Sequence, residues 1–153
     1  METKTRFWKE RLIVTELKQF LQSHPNTAGV EVMKPDNNGI IRGKRIDIHE
    51  AESLFEKGLN FCAATPLLDS GGDVIDGLIL GSDDGDPDIF GHPVDGSLSQ
   101  VPWLEKEMAQ VLITLIDRDG NPYPYEARNV LSRVIKRLAD DDLRLEIKRN
   151  ASI

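Results

Sequence analysis

One cysteine, Cys62, occurs in 153 residues, which excludes an internal disulfide and a cysteine-built zinc site and points to a reducing compartment, the cytoplasm. Histidine is nearly as scarce: His24, His49 and His92 stand far apart and no HExxH occurs, so no pair has metal-ligand spacing. No stretch approaches the roughly 18 apolar residues of a membrane span. The start, METKTRFWKERLIVTELKQF, scatters charges where a secretory leader needs an unbroken apolar run. An excess of positive charge is lacking too. A net charge of -7 and a pI near 5.0 give no general attraction to nucleic acid or an anionic membrane. Neither GxGxxG nor GxxxxGK[ST] is present, and Ser97, in DGSL, lacks the glycine frame of a nucleophile elbow. Read from its residues alone, the chain shows no catalytic constellation.

What is present is an ordinary globular balance, 39% apolar and 29% charged, enough for one core. Residues 1–27 predict an N-terminal helix, with Trp8, Leu12, Ile13, Leu17, Phe20 and Leu21 recurring at spacings of three and four until SHPNTAG stops it. Residues 28–125 carry the main domain. VEVMKP (30–35), the turn DNNG and IIRGKRIDI (40–48) predict a β-hairpin. HEAESLFEKG predicts a helix with Asp47 as N-cap, Glu50 reciprocating, Ala51, Leu54 and Phe55 on one face, and Gly58 as its stop. LNFCAAT (59–65) predicts a strand, in which Cys62 is expected to be a small, inert side chain. From 66 to 96, Gly, Asp and Pro dominate, leaving VIDGLIL and DIF as strand fragments at most. MAQVLITLID (108–117) is apolar on both faces, as in a central strand, and RDGNPYP turns the chain. Residues 126–153 predict a helix, with Val130, Leu131, Val134, Ile135 and Leu138 at helical spacing, and a charged tail. This order predicts an α+β fold: a β-grasp-like mixed sheet of four or five strands with the 49–57 helix lying across it.

The densest cluster of chemistry is SDDGDPD (82–88). Asp84, Asp86 and Asp88 meet the first three ligand positions of a calcium loop, but Ile89 stands where that loop needs glycine and Asp95 where it needs glutamate. A solvated turn whose aspartates cap backbone N–H groups is the favoured reading, so no metal site is expected. RGKR (42–45) could contact phosphate, but suits the charged outer face of a hairpin strand better.

Five motifs in order add a resemblance. DNNGIIRGKRI (36–46), SDDGDPD (82–88), PW (102–103), AQVLITLIDRDGNPY (109–123) and EARNVLSRVIKRL (126–138) together resemble the N-terminal portion of the glutamine synthetase family, nearest its γ-glutamylpolyamine synthetase-like branch. The resemblance implies a β-grasp domain that forms part of an intersubunit active site for ATP-dependent ligation of glutamate to ammonia or an amine. It implies that 82–88 connects elements and does not bind metal. In the family, ATP, glutamate and divalent Mg or Mn sit in a larger C-terminal domain following the last helix. The chain ends at Ile153, so the resemblance implies no catalytic residue or cofactor of its own, no ligase activity alone, and either self-association or a full-length glutamine synthetase-like subunit as partner. It places the substrate-pocket wall on Phe61, Cys62, Ala63, Ala64 and Thr65. Glutamine synthetases proper carry an FDGSS-like stretch there, whose aspartate helps to bind ammonium; Cys62 replaces it, which suits a bulkier amine or no substrate. EAR (126–128) replaces the usual DPR, keeping the arginine and losing the proline. A stand-alone regulatory module that binds a small molecule or a protein through the 66–107 loops is the alternative.

Overall fold

The computed structural model describes residues 15–75, 77, 85 and 87–146. Residues 15–23 are helical (α1), and Leu17, Phe20 and Leu21 place their apolar side on the core. The hairpin follows as β1 (Gly29–Pro35) and β2 (Ile41–Asp47), paired from Gly29 opposite Asp47 to Pro35 opposite Ile41. Its turn is built by Asp36, whose carboxylate accepts from the Asn38 and Ile40 amides at 2.8 and 2.9 Å, while Gly39 takes a φ of 78°. That left-handed conformation is why glycine ends DNNG. Asp117 solves the RDGN turn the same way, accepting from Asp119 and Asn121 amides.

Helix α2 (Ile48–Lys57) starts where Asp47 accepts from the His49 amide and stops at Gly58, φ 80°, whose N–H returns to the Leu54 carbonyl. Both caps match the sequence reading. Its buried face is Ala51, Leu54 and Phe55, laid against Val30, Val32, Val111, Ile113 and Leu115 of the sheet. β3 (Leu59–Cys62) is shorter than the seven-residue strand expected, because Ala63 and Ala64 turn the chain into a 3-10 turn at Thr65–Leu67 with Pro66 near its start.

The remaining elements are β4 (Asp88–Pro93), β5 (Ser99–Val101), β6 (Met108–Ile116) and α3 (Ala127–Asp140). β6 is the spine. One edge pairs parallel with β1; along the other lie β4, antiparallel opposite Ile113–Ile116, and β5, antiparallel opposite Met108–Gln110. The sheet order is β2-β1-β6-β4-β3 with β5 beside β6. The mixed α+β architecture is the one expected, with six strands in place of four or five. DIF grows into a full strand because Gly91 lets β4 pass close to the core: a Cβ there would strike Ile113 and Phe61.

Candidate functional site

The segment from Asn60 to Asp69 is gripped carbonyl by carbonyl. Lys44 Nζ donates to the Asn60 carbonyl (2.9 Å), Thr65 Oγ1 to that of Cys62 (2.6 Å), Tyr123 OH to that of Ala63 (2.9 Å), Asn38 Nδ2 to that of Leu68 (3.0 Å), and Arg42 to that of Asp69 (2.6 Å). Lys44 also lies 4.9 Å above the Phe61 ring. Because Lys44 is on one edge strand and Asn60 on the other, these contacts require the sheet to curl. Of the expected wall residues, Phe61, Ala63 and Ala64 are buried; Cys62 and Thr65 are half-buried and present the accessible side.

RGKR is consumed within the fold. Arg42 pairs with the buried Asp36 at 2.6 Å and Arg45 pairs with Glu31. Burial alone would raise the Asp36 pKa, but the Arg42 guanidinium and the Ile40 and Asn38 amides outweigh it and hold the carboxyl below its usual range. Arg42 thereby ties the 36–39 turn to the 69–73 turn, in which Asp69 accepts from the Gly72 and Asp73 amides.

Asp84 and Asp86 of the acidic segment lie outside the described residues. Asp88 opens β4, exposed, with Cys62 as its cross-strand partner. Among the described residues, no three His, Cys, Asp or Glu side chains come together to hold a metal ion. His24 ends α1, its ring stacked on Phe20, and Ser97 donates to the Val94 carbonyl and accepts from the Leu112 amide. Both roles are structural.

Sequence reasoning missed the most costly polar feature. Lys34 is 0% exposed and Glu126 2% exposed. Glu126 Oε2 accepts from Thr114 Oγ1 (2.9 Å) and the Leu115 amide (3.1 Å), but Glu126 Oε1 and Lys34 Nζ have no hydrogen-bond partner among the described residues. Burial pushes the Lys34 pKa down and that of Glu126 up, each partly offset by attraction to the other. Parity was the available signal: Val30, Val32 and Lys34 share one face of β1, and that face is the core.

Among the described residues, α3 and the region of Trp103 expose apolar surface. On α3 only Asn129 is buried, donating to the Leu115 and Tyr123 carbonyls, while Val130, Leu131, Val134 and Ile135 are 41–47% exposed. An open groove of about 580 Å³ runs between Arg45, Asp47, Trp103, Glu105 and Lys106, with Trp103 70% exposed. No helix among the described residues is long and apolar enough to cross a membrane.

Together these features define a β-grasp domain with a clamped edge-strand segment and an apolar helix face that the described residues do not cover. No protein-family model matches the chain. It is 40% identical over 123 residues to gamma-glutamylputrescine synthetase PuuA of Escherichia coli (strain K12), covering 80% of this chain and 26% of that protein. It is 33% identical over 109 residues to type-1 glutamine synthetase 2 of Dictyostelium discoideum, covering 71% of this chain and 21% of that protein. Glutamate–isopropylamine ligase of a Pseudomonas species is 30% identical over 129 residues, covering 81% of this chain and 27% of that protein. The fold matches a crystal structure of a novel glutamine synthase homologue (TM-score 0.64, 21% identity, 75% of this chain and 27% of that one) and GmaS in complex with ADP (TM-score 0.63, 21% identity, 82% and 26%). The chain belongs to the glutamine synthetase family, as a counterpart of its N-terminal domain near the polyamine-synthetase branch. It spans about a quarter of the length of the curated relatives it matches.

Proposed function

We propose that this chain acts as the N-terminal domain of an ATP-dependent ligase joining glutamate to an amine, and that residues 61–65 supply one wall of an active site formed between subunits. The observation that carries the reading is the 40% identity to a γ-glutamylputrescine synthetase across 80% of the chain, a span that on length alone takes in both β3 and β4. The rigid carbonyl-by-carbonyl hold on 60–69 supports it, since a pocket wall works only if it is preorganised. The bare face of α3 supports a protein partner, either a second copy or a full-length subunit of the family.

ATP and a divalent Mg or Mn ion are implied for such a ligase, and the described residues do not fit either. Among the described residues no cluster of three ligand side chains is formed, and the groove at Trp103 is lined by two acids, Asp47 and Glu105, and two bases, Arg45 and Lys106. The proposal therefore assigns both groups to another part of the assembled enzyme, and no ligation step to this chain alone. Cytoplasmic residence accompanies it, in keeping with a single, half-buried cysteine.

The test is a chimera in which this chain replaces the matched region of the Escherichia coli enzyme. The chimera is expected to release phosphate from ATP in a glutamate- and putrescine-dependent reaction, while the isolated chain releases none. A folded, assembled chimera without amine-dependent turnover refutes the proposal; so does turnover by the purified chain alone.

A further inference from the structure

The residues of the 61–65 segment differ in how they are held. Phe61 is anchored by its side chain, which joins the core beside Ile89. Ala63 and Ala64 are buried but carry only methyl groups, so their backbone has to fix their place. The chain leaves β3 at Cys62 and bends through these two alanines into the turn at Thr65–Leu67. Ala63 is tied at both of its polar backbone groups: its amide donates to the Pro87 carbonyl and its carbonyl accepts from Tyr123 OH, each at 2.9 Å. The bond from Thr65 Oγ1 to the Cys62 carbonyl lies inside the bend and travels with it. Toward the two ends of the 60–69 stretch, the bonds from Lys44 and Asn38 meet water, whereas the one from Tyr123 is buried. Tyr123 is itself firmly set in the core cluster. Its amide donates to the Leu115 carbonyl (2.9 Å), and its carbonyl accepts from Asn129 Nδ2 (3.1 Å), which also donates to the Leu115 carbonyl (2.8 Å). The end of β6, Tyr123 and the start of α3 thus form one unit.

We infer that Tyr123 is a positioning residue for the 61–65 wall: its hydroxyl fixes the Ala63 carbonyl, and through it the placement of the accessible side chains of Cys62 and Thr65. The inference rests on the proposed role of that wall and adds the group that sets its geometry. A tyrosine suits the task because it carries its hydroxyl on a rigid ring that loses little conformational entropy when held. Away from water, neither the hydroxyl nor the carbonyl can exchange its partner for solvent, so the bond holds the bend in one place. Without the hydroxyl, the Ala63 carbonyl is buried and short of its donor, and the bend shifts to recover one. A preorganised wall tolerates displacements of only about 0.5 Å.

The test variant is Tyr123→Phe, which keeps the ring in the core and removes the hydroxyl; Asn129→Ala, which loosens the Tyr123 backbone instead, takes its place if that protein does not fold. Cys62 is the chain's single cysteine, so in this chain its rate of reaction with dithiobisnitrobenzoate under native conditions reports the placement of the bend. The variant is expected to speed that reaction by about 3- to 10-fold, the weight of one hydrogen bond between neutral groups. Ser97→Ala strips a hydroxyl bonded to the Val94 carbonyl and the Leu112 amide, beyond the far end of β4, and should leave the rate unchanged. An unchanged rate in the test variant, or an equal rise in Ser97→Ala, overturns the inference. In the chimeric ligase the same variant should raise the KM for putrescine by about 3- to 10-fold and leave kcat and the KM values for glutamate and ATP as they were. A faster thiol reaction with an unchanged putrescine KM, or an equal rise in all three KM values, also overturns it, since the bend then does not shape an amine site. An unsubstituted chimera without amine-dependent turnover overturns the proposed function instead, and the thiol rate still decides whether Tyr123 places the bend.

Discussion

Replacing Lys34 by methionine should be among the most damaging changes available in this domain. The substitution keeps the length of the side chain and removes the ammonium group that faces Glu126 in the core. No hydrogen bond joins the two, since Lys34 Nζ and Glu126 Oε1 are both buried without a partner among the described residues; their attraction acts through space in a medium that screens poorly. Breaking a buried pair from one side typically costs about 3–5 kcal/mol, because the remaining charge is stranded. At roughly 2–4 °C per kcal/mol for a chain of this size, the melting temperature should drop by roughly 6–20 °C. Combining Lys34→Met with Glu126→Gln should restore most of it, since the glutamine carbonyl can accept from Thr114 Oγ1 and the Leu115 amide in place of Oε2. Thermal melts and urea titrations of the two single variants and the double one form a closed cycle. A Lys34→Met protein within about 0.5 kcal/mol of the parent, or a double variant losing the sum of both singles, would refute the idea of a coupled buried pair.

The same pair sets a pH dependence with a definite sign. Glu126 has its folded pKa raised above 4.5 by burial, so between the two values the folded state binds more protons and stability falls as pH rises. Lys34 has its folded pKa lowered from 10.5 by burial, so in its window the unfolded state binds more protons and stability rises with pH. The pair therefore weakens the fold most at pH values between the two folded pKa values. The double variant carries neither titrating group and should lack both slopes, so its stability should vary less with pH than the parent's across these windows.

Three further outcomes are expected. Arg42→Met should cost about 1.5–3 kcal/mol in urea, the range for a hydrogen bond to a charged group, by leaving Asp36 without its guanidinium, and Arg42→Lys should recover only part because it lacks the fork. Asp36 has a folded pKa below its ordinary 3.8, so its stabilising contribution is complete above 3.8 and lost as pH falls through the folded value; acid titrations of Arg42→Met should lose that step. Gly43→Ala should sit at or beyond the upper end of the about 1–3 kcal/mol overpacking range, because its Cβ would strike the Val32 carbonyl, which is backbone and cannot swing aside. Val134→Glu should change melting by no more than about 0.5 kcal/mol while abolishing any concentration-dependent rise in mass seen by light scattering; a rise that persists unchanged would place self-association elsewhere than on α3.

What could be read in the sequence follows from how local each feature is. Asp47 and Gly58 announce α2 because a cap is a contact between neighbours, and DNNG announces its turn because Asp36 Oδ1 accepts from amides two and four residues away. β4 was legible only as a fragment, since its strand character comes from β6 and β3 on either side and its sequence, DIFGHP, contains both a glycine and a proline. β5 has three residues and exists only through its pairing with β6.

The buried lysine shows a different limit. Alternation along β1 already placed Lys34 on the core face with Val30 and Val32, but a lysine on such a face is ordinarily the end of the strand, its ammonium reaching water. Glu126, ninety-two positions later and just before α3, is buried as well and attracts that ammonium through space. Glu126 has to leave its own helix to do so: at the N-cap it makes no side-chain cap bond to α3, and its carboxylate instead turns onto Thr114 and the Leu115 amide, where β1 no longer accompanies β6. A residue that forgoes local capping for a distant edge cannot be recognised from its neighbours.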